Sequence, residues 1–187
     1  MKRLPLLLLL VVLAGCGERR QVQTYLGAVA AELPVLKDIS RQTEDAFDDL
    51  RFGARPDDLG ELAGRLDKAA DGLDVQVEAL KASRARAAAL PAPGPAKEFE
   101  ARLLACYDRW AEVGQQLAQT CRQAATSCRE VETSSGKDKL KRFGEASRAM
   151  GDKLRELQKA GRDAGRASQD VQEELQRLQK RYKLPRG

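Results

Sequence analysis

Leu140-Lys141-Arg142-Phe143-Gly144-Glu145-Ala146-Ser147-Arg148-Ala149-Met150 opens the stretch on which the fold turns. From there apolar or small residues recur at Leu140, Phe143, Ser147, Met150, Leu154, Leu157, Gly161, Ala164, Ser168, Val171, Leu175, Leu178 and Tyr182, at alternating spacings of three and four. That period lines one face of a helix, with charged and polar residues in the positions between. The spacing predicts a single helix over 137–182, about 70 Å long at ~1.5 Å per residue.

Upstream, three breaks divide the chain. Thr133-Ser134-Ser135-Gly136 precedes this helix, and Pro91-Ala92-Pro93-Gly94-Pro95 cannot continue one. Gly53-Ala54-Arg55-Pro56-Asp57-Asp58 combines a helix stop with caps for the next helix. Helices are therefore expected at 21–52, 57–90, 96–133 and 137–182. The first carries Val22, Leu26, Val29, Leu33, Leu36, Ser40, Thr43, Phe47 and Leu50; the second carries Leu59, Leu62, Leu66, Ala70, Leu73, Val77 and Leu80. The third carries Phe99, Leu103, Cys106, Trp110, Val113, Leu117, Cys121, Ala124, Cys128 and Val131. Pro34 should kink the first helix or mark its true start. Short connections favour antiparallel neighbours. The expected fold is all-α: an elongated up-down-up-down four-helix bundle with coiled-coil-like heptads. Its long last helix must overhang, bend back, or find a partner outside the bundle.

Composition agrees. Ala, Leu, Arg, Glu, Lys and Gln are good helix formers, and aromatic residues make up only 4% of the chain, so strands have little support. Histidine is absent, which removes the commonest general base and metal ligand. It also excludes the Glu-x-x-His di-iron arrangement of helical bundles and the Cys-x-x-Cys-His haem attachment. No nucleophile–base pair or phosphate-binding glycine loop is visible. Adjacent carboxylates such as Asp48-Asp49 and Glu173-Glu174 face apart on a helix. The expectation is a protein that is not an enzyme and takes no cofactor or metal.

The start of the chain reads differently. Met1-Lys2-Arg3 precedes an apolar run from Leu4 to Val12 that closes on Leu13-Ala14-Gly15-Cys16. A basic start, a short apolar run and small residues before the close read as an export signal. The run is about half of the ~20 residues that span a bilayer. Leu13-Ala14-Gly15-Cys16 resembles the lipobox of bacterial lipoproteins. The resemblance covers residues 1–16 only and implies that Cys16 receives a thioether-linked diacylglycerol and becomes the first mature residue. It also implies a cell-envelope location. Gly17, where an Asp would favour the inner membrane, points to the outer membrane facing the periplasm. On this reading residues 1–15 are removed, 16–20 form a lipidated tether, 21–182 form the bundle and 183–187 a basic tail.

Several residues invite a site. Cys121 and Cys128 are seven apart on one helix, about 10 Å, which is beyond disulfide reach. With Cys106 they fall on the apolar stripe and read as buried thiols, the alternative being an intermolecular disulfide in a homodimer. Trp110 reads as a core anchor. Gly161, Ala164, Gly165 and Ser168 form a small-residue patch. It implies either close helix approach, with Trp110 or Phe47 filling the space, or a mid-bundle cavity for an apolar ligand. Charge is uneven: residues 21–58 hold four basic and eight acidic side chains, residues 134–187 fifteen and eight. Complementary charge between the first and last helices is the expectation. Arg177, Lys180, Arg181, Lys183 and Arg186 have no acid among them and are candidates for contact with a membrane surface or another polyanion.

Together these features predict a lipid-anchored envelope scaffold or adaptor whose partners are the membrane, through Cys16, and another envelope protein. Nucleic acid is not expected. The alternative is a periplasmic bundle that holds a small hydrophobic ligand or an unfolded client. A large mid-bundle cavity at Gly161 and Gly165, or a co-purifying ligand, would favour the alternative; a filled core with an exposed apolar stripe on the overhanging part of the last helix would favour the adaptor.

Overall fold

The computed structural model describes residues 4–51 and 58–182, with side chains over 17–50 and 58–182. Among the described residues five α-helices succeed one another: α1 (Leu4–Ala30), α2 (Pro34–Arg51), α3 (Leu59–Ala89), α4 (Lys97–Glu132) and α5 (Gly136–Arg181). No strand occurs among the described residues. A 3-10 turn at Gly94–Ala96 leads into α4. α1 and α2 lie end to end as the first rod of an elongated up-down-up-down four-helix bundle, and α5 is its longest member at 46 residues.

The first rod departs from expectation at its start and breaks, as Pro34 indicated, near its middle. Its helix begins at Leu4 and runs through 16–20 without a break. Glu18, Arg19 and Arg20 are good helix formers and no proline interrupts them. The rod then stops at Ala30 and restarts at Pro34. Proline has no N–H, clashes with the carbonyl four residues back and disfavours helix in the residue before it, yet suits a first helical position. The break is held from outside. The Tyr107 hydroxyl donates to the Glu32 carbonyl at 2.8 Å. Arg86 donates from Nε and Nη2 to the Glu32 carboxylate at 2.8 and 2.7 Å. Those hydrogen bonds keep the Glu32 carboxyl below the usual carboxylate range. The expected break at 53–57 lies outside the described residues.

α4 is the centre of the bundle. Beyond the expected stripe it also buries Tyr107, Gly114, Ala118, Thr120 and Ala125, so its apolar face is wide enough to meet several helices at once. Gly114 allows the closest of these approaches: a Cβ there would stand 2.6 Å from Val77 Cγ2 and 3.2 Å from Ile39 Cδ1. Across the α3–α4 seam, Arg84 grips Asp108 at 2.5 and 3.0 Å. Arg122 spans Asp71 and Asp74 at 3.1 and 2.5 Å, and Arg129 meets Asp67. Cross-helix pairs among the described residues thus join α3 to its neighbours, rather than the acidic first rod to the basic last helix. On α5 the pairs run along its own surface, as in Arg166–Asp163 at 3.4 Å.

The two ends of the bundle differ. At one end Tyr25 stacks edge-on against Phe99, ring centroids 6.4 Å apart, and Tyr182 donates its hydroxyl to Glu18 at 2.9 Å. The start of α4 and the end of α5 therefore meet α1 close to Cys16. At the opposite end Gly136, at φ +60°, starts α5 directly after α4. Only glycine adopts that backbone region without strain.

Candidate functional site

The basic C-terminal end is built by α5, whose Leu178 and Tyr182 turn inward and are buried. Arg177, Lys180 and Arg181 remain on the outside. Arg177 is not free: it reaches Glu174 at 3.2 Å and Glu173 at 3.8 Å, one turn back. Arg181 lies 5.6 Å from the Tyr182 ring centre. Glu18 lies two residues past Cys16, about 3 Å along the helix axis. The lipidation candidate and the basic end therefore share one end of the bundle. The Cys16 side chain, Lys183 and Arg186 lie outside the described residues. Among the described residues no helix is long and apolar enough to cross a membrane.

The middle of the bundle is filled. Trp110 is 3% exposed and donates its indole N–H to Ser168 Oγ at 2.8 Å. Cys106 Sγ lies 3.4 Å from the same oxygen. Ala164 is buried, and a Cβ on Gly161 would touch Phe47 at an ordinary 3.5 Å. Gly165 has open space where a Cβ would stand. It faces a groove of about 810 Å³ between α2 and α5, lined inside by Leu36, Trp110, Ser168 and Val171 and rimmed by Lys37, Arg41, Glu44 and Arg162. Trp110 and Phe47 thus fill the space opposite Ser168 and Gly161, as the first alternative has it, while Trp110, Gly165 and Ser168 also line the open groove between α2 and α5. Closer approach occurs at Gly114, against the short side chain of Val77, and at Gly72 and Gly60, against the ends of Gln42 and Glu132; the residues around Gly114 on α4 gave no sign of it.

An apolar groove lies instead near the opposite end from Cys16. α5 buries only Leu154, Leu157, Ala164, Val171 and Leu178. Earlier on the same stripe Phe143 and Met150 are half-buried, Ser147 is exposed and Leu140 is 67% exposed. Phe143, Met150 and Leu154 form one wall of a groove of about 310 Å³; Leu50 of α2, Leu62 and Leu66 of α3 and Val131 of α4 form the others. Ser127, Cys128, Ser147 and Asp49, whose carboxylate lies 3.8 Å from Arg65, supply the polar atoms. Lys137, Lys139, Lys141 and Arg142 stand beside it without an ion-pair partner among the described residues.

The thiols are free: Cys106 and Cys121 are buried and Cys128 is half-buried. Burial pushes the Cys121 thiol up to about 12 and raises those of Cys106 and Cys128. It likewise raises the Tyr25 hydroxyl to about 12, with Glu100 adding to the effect, and raises Tyr107. These shifts hold the groups neutral and unreactive. No cluster of three or more His, Cys, Asp or Glu side chains suited to a metal occurs among the described residues. Compared with known protein families, curated proteins and solved structures, the chain matches none.

Proposed function

We propose that the chain is a lipid-anchored cell-envelope scaffold or adaptor, tied to the membrane at Cys16 and making protein–protein contacts with its far end. The observation that carries this reading is the distribution of apolar burial. The mid-bundle core is filled by Trp110, which is 3% exposed and bonded to Ser168, and the groove beside it is rimmed by the charged Lys37, Arg41, Glu44 and Arg162 rather than enclosed by apolar walls. Apolar surface is left over instead on the first third of α5, where Leu140 is 67% exposed. A carrier needs an enclosed apolar space, and an adaptor exposed apolar surface.

Leu13-Ala14-Gly15-Cys16 supports the anchor, and Gly17 supports the outer membrane facing the periplasm. The Tyr182–Glu18 hydrogen bond supports a bundle that stands with both termini at the lipid surface. Lys180 and Arg181, with Lys183 and Arg186 beyond them, would then meet anionic headgroups and orient the protein rather than attach it. Expression of the wild type and Cys16→Ala in a bacterial host fed labelled palmitate tests the anchor. Label and membrane retention in the wild type, both lost in Cys16→Ala, are expected; retention of the variant in membranes would refute the anchor.

A second reading rests on the groove itself, whose volume of about 310 Å³ is at the small end for ligand sites. In that case a small hydrophobic molecule would co-purify and be lost on Met150→Trp.

A further inference from the structure

The first third of α5 combines features that together specify a partner. Residues 136–153 carry six basic and three acidic side chains. Lys137, Lys139, Lys141 and Arg142 have no ion-pair partner among the described residues. At about 100° per residue, Lys139 and Arg142 fall on one flank of the Leu140–Phe143 stripe and Lys137 and Lys141 on the other. Between these flanks the apolar residues continue from exposed Leu140 through half-buried Phe143 and Met150 into the groove. We propose that this surface receives an acidic amphipathic helix of a partner protein, apolar anchors in the groove and carboxylates against the flanking cations.

The geometry selects among occupants. A groove walled by α2, α3, α4 and α5 accepts inserted side chains spaced at i, i+3 or i+4, and i+7, with Asp49 on its α2 wall already beside Arg65. A membrane-surface helix needs its apolar face turned outward and flat, whereas Phe143 and Met150 face into the bundle. This end is also the one remote from Cys16. A second copy of α5 docked on the same stripe would set like charges against each other. An acidic helix satisfies both the apolar and the charged parts. The inference deepens the adaptor reading and rests on it for the kind of partner, but not on the lipid.

The test uses the full chain, once reconstituted into neutral phosphatidylcholine vesicles and once as Cys16→Ala in solution. The probes are fluorescent amphipathic peptides with identical leucines, one flanked by glutamates and one by lysines. Fluorescence polarisation should show the glutamate peptide binding both preparations at least about tenfold more tightly than the lysine peptide, with a gap that shrinks as salt rises. Leu140→Asp should weaken binding about tenfold, and because Leu140 is exposed the fold should keep its thermal midpoint. Lys137→Glu combined with Lys139→Glu and Lys141→Glu should reverse the preference. Three results would overturn the proposal: equal affinity for the two peptides, displacement of the peptide by anionic vesicles, or concentration-dependent dimers abolished by Leu140→Asp. Failure to enter vesicles while the peptide still binds in solution would count against the anchor alone.

Discussion

α4 and the first third of α5 carry stripes of the same period and meet opposite fates. On α4 the stripe is buried almost throughout and is widened by Tyr107, Gly114 and Ala118 into a face that meets several helices. On α5 the more regular stripe is buried at Leu154, Leu157, Ala164, Val171 and Leu178, half-buried between them, and more open before Leu154. Period assigns a residue to a face, whereas burial depends on what stands opposite. α4 is surrounded, with α3 bound along its length by Arg84, Arg122 and Arg129. α5 lies at the edge, and its early stripe looks into a groove.

Removing the same side chain from each helix puts that contrast at greatest risk. Leu103→Ala, at a position with no exposure, should cost about 2–5 kcal/mol, whereas Leu140→Ala should stay within about 0.5 kcal/mol of the wild type. Urea unfolding measures both, and similar losses would erase the distinction. Glycine gives the next largest effect. Gly114→Ala drives a methyl against Val77 and should cost about 1–3 kcal/mol. Gly165→Ala meets open space and should gain up to about 1 kcal/mol of helix preference. Ser168→Ala leaves the buried Trp110 N–H without its acceptor and should cost about 1–2 kcal/mol, accompanied by a shift in tryptophan emission.

Much of this architecture is written in the sequence, because helix period and proline breaks act locally. The stripes of α3 and α4, the breaks before α4 and α5 and the restart at Pro34 depend on residues a few positions apart. The features that sequence leaves hidden are non-local. The small residues of α5 single out Gly161 and Gly165, yet close approach occurs at Gly114, where Val77 and Ile39 arrive from two other helices. Among the described residues ion pairs join α3 to its neighbours, a pairing that net charge does not indicate, because ion pairs depend on which flanks meet. Leu140 and Val131 are alike in pattern; only the packing of α3 and α4 buries the second and exposes the first. Arg177 belongs to an acid-free cluster in sequence, but one helical turn places Glu174 beside it.

A smaller effect separates the buried thiols from the surface. In the unfolded chain a cysteine loses its proton near its ordinary 9.0, but Cys121 in the fold holds it to about 12. Between those values the folded state binds more protons, so stability falls as pH rises. Tyr25, also raised to about 12, acts in the same direction above its ordinary 10.0. Urea midpoints should therefore decline from about pH 9 upward; a Cys121→Ala variant should show a shallower decline, and a flat profile in the wild type would contradict it.

More of the proposed function depends on Cys16 than on any other residue, since the proposed anchor would decide which end of the bundle is held and which is offered. Intact-mass measurement of the protein extracted from membranes tests it most directly. A chain of residues 16–187 carrying a diacylglycerol on its first residue is expected; a chain that still begins at Met1, or one cut beyond Cys16 and free of lipid, would contradict the anchor.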